Sequence, residues 1–163
     1  MNQTLTHAPR YILDTNIWLD WFVFVHEPET PMALLKSTMT QQGTTILMTQ
    51  AMWDEWVDVL GRAQFKVEPE RQVDILAQTR ALVEWVGATP TPFERIRCSD
   101  KDDQVFIDVA LALKVDCLIS KDKHLLHLRQ RAKKRGVSIV TPEQWVRQFR
   151  HVISTEMIGV AHA

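Results

Sequence analysis

The chain has 163 residues, 45% hydrophobic and 24% charged, with nineteen Lys or Arg against twenty Asp or Glu and a formal charge of −1. This suits one soluble globular domain with a sizeable core. It excludes a global electrostatic grip on nucleic acid and leaves only a local basic patch for that purpose. The two cysteines, Cys98 and Cys117, form no CxxC or other metal-ligand spacing. The start, MNQTLTHAPR, lacks the apolar core of a signal peptide, and the most apolar run, Trp18 to Val25, is interrupted by Asp20 and too short to span a bilayer. A reducing cytoplasmic location without membrane contact is expected.

Residues 1–9 read as a flexible N-terminus, 10–151 as a single domain and 152–163 as a frayed tail. The first strand is expected at Tyr11–Leu13, followed by a helix in which Trp18, Trp21, Phe22 and Val25 recur at i, i+3, i+4 and i+7. A strand at Thr45–Met48 precedes a helix with Met52, Trp56, Val59 and Leu60 on one face. Helical spacing continues through Val73, Ile75, Leu76, Leu82 and Trp85. A third strand is expected at Arg95–Cys98, then a helix carrying Phe106, Ile107, Ala110 and Leu113, then strands at Asp116–Ile119 and Val137–Val140. Thr141 is a good N-cap and Pro142 a good first residue for a last helix over 142–150. Strands alternating with helices predict an α/β fold with a mainly parallel five-stranded sheet covered on both faces.

Asp14 stands between the apolar run Tyr11-Ile12-Leu13 and the apolar Ile17-Trp18-Leu19. An ionised acid so placed needs a partner or a metal, because losing its hydration unpaired costs several kcal/mol. In open parallel sheets, sites form beyond the carboxyl ends of the strands. Asp14 follows the first strand there and Asp122 the fourth. Glu55, on the helix after the second strand, and Asp103, atop the stripe Phe106, Ile107, Ala110, reach the same pole from flanking helices. Asp102 is rotated about 100° away from that stripe. Carboxylates converging on one pole raise each other's pKa, and hard divalent cations with oxygen ligands, Mg²⁺ or Mn²⁺, relieve the repulsion. Two such ions can activate a water and stabilise the leaving oxygen of a phosphodiester.

The segments ILDTN, EWVDVLGRAQF, CSDKDDQVFIDVAL, CLISKDKHLL and SIVTPEQWV, in that order, resemble the PIN-domain family, in the branch of toxin components of bacterial toxin–antitoxin pairs. The resemblance implies a three-layer α/β/α fold, Mg²⁺- or Mn²⁺-dependent endoribonuclease activity on RNA, a homodimer, and a cognate antitoxin that covers the acidic cleft and inserts a basic side chain. The family's four acids map onto Asp14, Glu55, Asp103 and Asp122, its first polar residue onto Asn16, and its small hydroxyl residue onto Ser120. There are departures. The last motif usually reads threonine–glycine–aspartate and here reads Ser120-Lys121-Asp122, which puts bulk and charge beside the site. Asp100 and Asp102 add acids near the third position.

Plainer roles compete at each place. Asp14 and Asn16 are good helix-cap residues, Ser99 or Asp100 is the expected N-cap of the Asp103 helix, and Asp54 and Asp58 flank Glu55 on its wet face. The stretch 121-KDKHLLHLRQRAKKRG-136 holds seven Lys or Arg against one Asp, either as a solvated face or, with Arg62 and Lys66, as a track for RNA phosphates. His124 and His127 read as surface residues. Of six tryptophans, Trp18, Trp21 and Trp56 fit core stripes, while Trp53 and Trp85 suit core packing, base stacking or a dimer surface. Two other functions remain open. One is phosphoryl transfer on a small molecule, which needs an acid where Asn16 stands; the other is a catalytically idle module that binds RNA or a protein partner.

Overall fold

A computed structural model describes residues 8–41 and 43–148. The tail expected over 152–163, the end of the last helix and most of the N-terminal segment lie outside the described residues. Five strands form one sheet in the order β3-β2-β1-β4-β5, every neighbouring pair parallel. They are β1 Arg10–Leu13, β2 Thr45–Met48, β3 Val83–Trp85, β4 Cys117–Ile119 and β5 Ser138–Val140. The helices are α1 Thr15–Phe22, α2 Pro31–Met39, α3 Gln50–Leu60, α4 Pro69–Leu82, α5 Gln104–Leu113, α6 Lys123–Leu126 and α7 Arg129–Lys133. Residues 142–148 are also helical. Flanked by these helices, the sheet forms the three-layer α/β/α arrangement.

The central strands read as continuous apolar runs because both faces are covered. Ile12, Cys117, Leu118 and Ile119 are fully buried. Tyr11 pairs in register with Ile46 on one side and Cys117 on the other, and its ring meets Trp145 of the last helix edge-on at 6.2 Å. That helix starts as expected. Thr141 Oγ1 accepts from Gln144 N–H at 3.1 Å, and Gln144 Oε1 accepts from Thr141 N–H at 3.1 Å, a reciprocal capping box. On α1 and α3, Trp18, Trp21, Phe22 and Trp56 form a ring cluster with centroids 5.6–6.5 Å apart.

Three expectations are corrected. The strand expected at Arg95–Cys98 is absent as a strand, although Ile96 and Cys98 are buried between exposed Arg95 and Arg97. Its backbone groups are instead bonded by the Gln104 amide, which donates to Ile96 O at 2.9 Å and accepts from Cys98 N–H at 2.7 Å. The third strand is Val83–Trp85, cut from the end of a stretch read as helical. It pairs Ile46 with Val83 and Met48 with Trp85, and its β-branched and aromatic residues suit a sheet edge. Thirdly, α1 ends at Phe22, so Val25 lies beyond it and is 97% exposed; Val73, expected on the buried face of α4, is exposed too. Helix α2 was not anticipated: Thr30 caps it and Pro31 opens it. No helix among the described residues is long and apolar enough to cross a membrane.

Candidate metal and catalytic centre

The strand order reverses between β1 and β4, the point at which open α/β sheets form their sites. Asp14 leaves β1 there. Its N–H donates to Ile119 O at 3.0 Å, its carboxylate caps α1, and it is 4% exposed. Oδ1 accepts from Thr15 N–H at 2.7 Å and Oδ2 from Ser120 Oγ at 2.6 Å. Ser120 is fully buried just beyond β4 and accepts in turn from Asp122 N–H at 2.9 Å. Asp122 caps α6 through His124 N–H at 2.7 Å. One hydroxyl therefore ties Asp14 to the backbone of Asp122.

A second hydroxyl does the same on the other side. Thr15 Oγ1 donates to Glu55 Oε2 at 2.5 Å, while Thr15 N–H holds Asp14. Glu55 is half-buried on α3, and Asp54 and Asp58 are exposed beside it, paired with Gln50 and Arg62. Asp103 sits at the N-cap position of α5 without capping it, in place of the expected Ser99 or Asp100. Asp100 Oδ1 instead accepts from Asp102 N–H, and Ser99 Oγ meets His124 Nδ1 at 2.8 Å. Asp103 is 8% exposed, and its Oδ2 is buried with no hydrogen-bond partner among the described residues. Asp102 is exposed.

The acids feel one another. Burial pushes Asp103 up to about 7, and Asp14, Asp122, Asp100 and Glu55 each add to the rise. Burial likewise lifts Asp14 to about 6; Ser120 and Thr15 oppose the shift, Glu55 and Asp122 increase it. Glu55 is raised mainly by burial, against the Thr15 hydroxyl, with further contributions from Asp102 and Asp100. Asp14, Glu55, Asp103 and Asp122 thus share one electrostatic field at the carboxyl pole of the sheet.

The profile of the PIN domain matches residues 10–124, a span that includes all four acids and ends before β5. The chain belongs to the PIN-domain family. PIN domains have a nuclease-type fold, which fits a hydrolase. No curated protein matches the chain as a relative.

PIN domains typically bind divalent metals, and the side chains here can be tested for that. The donors are all carboxylate oxygens, the set that hard cations prefer, and the buried orphan Oδ2 of Asp103 is an acceptor that a cation would satisfy. In their present positions, however, no three Asp, Glu, His or Cys side chains among the described residues form a metal-holding group. The chemistry of the donors fits a divalent ion; the arrangement is a shared field and not yet a closed cage. A cavity of about 360 Å³ is lined by Lys121, His26, Met32 and Thr141 but by none of the four acids.

Asn16 turns toward the loop after β4, its Oδ1 accepting from Lys121 N–H at 3.4 Å. Lys121 itself reaches back to α1 and ion-pairs with buried Asp20. Trp53 and Trp85 meet edge-to-face at 5.5 Å with the Arg80 guanidinium over both rings. In the basic run, Arg135 pairs with Glu94, while Lys123, Arg129, Arg131 and Lys133 are exposed. Sequence reading missed Thr15, Asp20 and Asp108 as buried polar groups. Their signal was present as hydrophilic residues inside apolar stripes, but Glu55, the partner of the Thr15 hydroxyl, and Lys121, the partner of Asp20, lie far away in the chain.

Proposed function

We propose that this PIN-domain protein is a metal-dependent endoribonuclease that hydrolyses phosphodiesters of single-stranded RNA or exposed RNA loops, acting in the cytoplasm as the toxin of a toxin–antitoxin pair. The observation that carries the reading is Asp103. It is a buried carboxylate with an oxygen that has no hydrogen-bond partner among the described residues, raised in pKa by burial and by four other acids, Asp14, Asp122, Asp100 and Glu55. A protein seldom keeps such a charge without a ligand to match it.

In this reading Asp14, Glu55, Asp103 and Asp122 hold one or two Mg²⁺ or Mn²⁺ ions. When bound there, a divalent ion would supply Lewis-acid activation of water and charge neutralisation for phosphodiester hydrolysis. The protein's own groups set the geometry. The Ser120 hydroxyl fixes Asp14 Oδ2 and the turn to Asp122, and the Thr15 hydroxyl fixes Glu55 Oε2. Asn16 steadies the loop after β4. Exposed Lys123, Arg129, Arg131 and Lys133 lead away from the centre and would meet RNA phosphates. The toxin role adds a homodimer and an antitoxin segment that lays a basic side chain over the acids.

The test is cleavage of end-labelled single-stranded RNA with Mn²⁺, Mg²⁺ or chelator, by the wild type and Asp14→Asn. Cleavage is expected only with metal and only in the wild type; an Asp14→Asn protein that cuts at full rate removes the assignment. Growth arrest on expression, relieved by the product of a neighbouring gene, tests the toxin role separately.

A further inference from the structure

We propose that Asp20 is a positioning residue: it holds the Lys121 ammonium on α1, away from the carboxylates of Asp14, Glu55, Asp103 and Asp122. The inference rests on the metal reading above and concerns what the protein must do to keep that site open to a divalent ion.

Lys121 stands between Ser120 and Asp122, so with Lys123 it is one of two cations that flank an acid of the centre, and it is the one tied back to α1. Its tether is two-point. One turn apart on α1, Asn16 accepts from Lys121 N–H and Asp20 pairs with Lys121 Nζ. Asp20 lies six residues after Asp14, about 9 Å further along the helix axis at the usual rise. It is 5% exposed on a helix whose Ile17, Trp18, Leu19 and Trp21 are also buried, an expensive place for a carboxylate unless it is paired. Its other oxygen faces His26 Nε2 at 3.8 Å.

A lysine is a point charge on a flexible four-carbon stem. Released from Asp20, it would settle where negative potential is greatest, and that is the acid centre next to it. There the ammonium would neutralise the carboxylates and compete with a divalent ion for them. The family pattern described above has glycine at this position, so the problem arises with the lysine, and the buried aspartate answers it.

Competition has a signature that simple destabilisation lacks. Titrated with Mn²⁺ by calorimetry, full-length Asp20→Asn should bind at least about tenfold more weakly than wild type. RNA cleavage by this variant should recover as Mn²⁺ is raised to saturation. Adding Lys121→Met should restore wild-type affinity, because the ammonium released from Asp20 is gone. Unchanged affinity in Asp20→Asn overturns the proposal, as does weak binding that persists in the double variant. If Asp20→Asn does not fold, the double variant decides alone: folded with wild-type affinity it supports the proposal, folded with weak affinity it overturns it. A wild type that binds Mn²⁺ but leaves RNA intact defeats the ribonuclease reading and leaves this one standing. NMR of the Lys121 ammonium requires neither metal nor RNA. Its contacts should move from Asp20 in the wild type to Asp122 in Asp20→Asn, and an ammonium that stays on α1 in the variant refutes the idea.

Discussion

Helix α5 carries two aspartates that are almost equally withdrawn from water, Asp103 at 8% exposure and Asp108 at 6%, and the protein treats them in opposite ways. Asp108 is saturated. Arg95 forks onto it, Nη2 to Oδ2 at 2.8 Å and Nε to Oδ1 at 3.2 Å, and the Gln104 amide donates at 2.9 Å. Asp103, at the N-cap, has a buried oxygen without a hydrogen bond among the described residues and feels the charge of other acids. The first is what structure does with a buried carboxylate: it surrounds the charge with donors. The second is what a binding site does: it leaves the charge for something that is not protein.

The sharpest way to break that comparison is to remove each charge in turn. Asp103→Asn should lower metal-dependent RNA cleavage by on the order of 10³-fold, about 4 kcal/mol of barrier, with no loss of stability in urea unfolding. Asp108→Asn should do the reverse. It strips a buried acceptor from Arg95 and Gln104 and should cost about 2 kcal/mol of stability, while cleavage at 25 °C by the folded protein stays within a few-fold of wild type. If both variants lose stability alike and neither loses activity, the two acids are structural alike and the distinction fails.

Stability against pH sharpens the same contrast. Asp14 and Asp103 have folded pKa values of about 6 and about 7, above the ordinary 3.8. Between about pH 4 and 7 the folded protein therefore binds more protons at these groups than the unfolded chain does, and stability falls as pH rises through that window. Their contribution is most favourable below the unfolded value and is lost as pH passes the folded one. Urea unfolding should give a lower free energy at pH 7.5 than at pH 5, and Asp103→Asn should flatten the difference. Mn²⁺ at a hundred times its Kd should add back about 2.7 kcal/mol at pH 7.5, and less at pH 5, where protons compete for the same oxygens. A profile that climbs from pH 5 to 7.5 without metal counts against the shared field.

How much of this was legible beforehand depended on distance along the chain. Asp14, Asp122 and Asp103 could be placed at the pole because each follows a strand or tops an apolar stripe; Glu55, inside α3, stood out only as a member of the four-acid set. Four of the five strands were readable for the same reason. The third was misplaced because Arg95–Cys98 does alternate as a strand should. What denies it a ladder is the Gln104 amide, a side-chain competitor that no strand pattern shows. Val83–Trp85 was hidden by following α4 directly, with no glycine or proline to announce the change. The Lys121–Asp20 pair joins residues on different elements: Asp20 stood out as a break in an apolar run and Lys121 as a departure from the family pattern, but nothing local joins the two.

Thr15 is the clearest case of the illegible, and it carries the smallest expected effect. Its amide and hydroxyl divide between two acids, Asp14 next to it and Glu55 forty residues away. Thr15→Val keeps the amide bond and nearly the shape and deletes only the donor to Glu55. Glu55 is half-buried, so water can replace much of the lost bond, and stability should change by less than about 1 kcal/mol. Orientation is harder to replace: ligand-orienting hydrogen bonds are typically worth 10- to 100-fold in activity. We expect about a tenfold fall in kcat, with Thr15→Ser, which keeps the hydroxyl, near wild type. Ser120 fixes Asp14 and Asp122 by the same device. Three acids are thus held by hydroxyls, while Asp103 is placed by its helix alone. A Thr15→Val protein as active as wild type would mean that α3 by itself also suffices to aim Glu55, and that the hydroxyl bridge is packing rather than positioning.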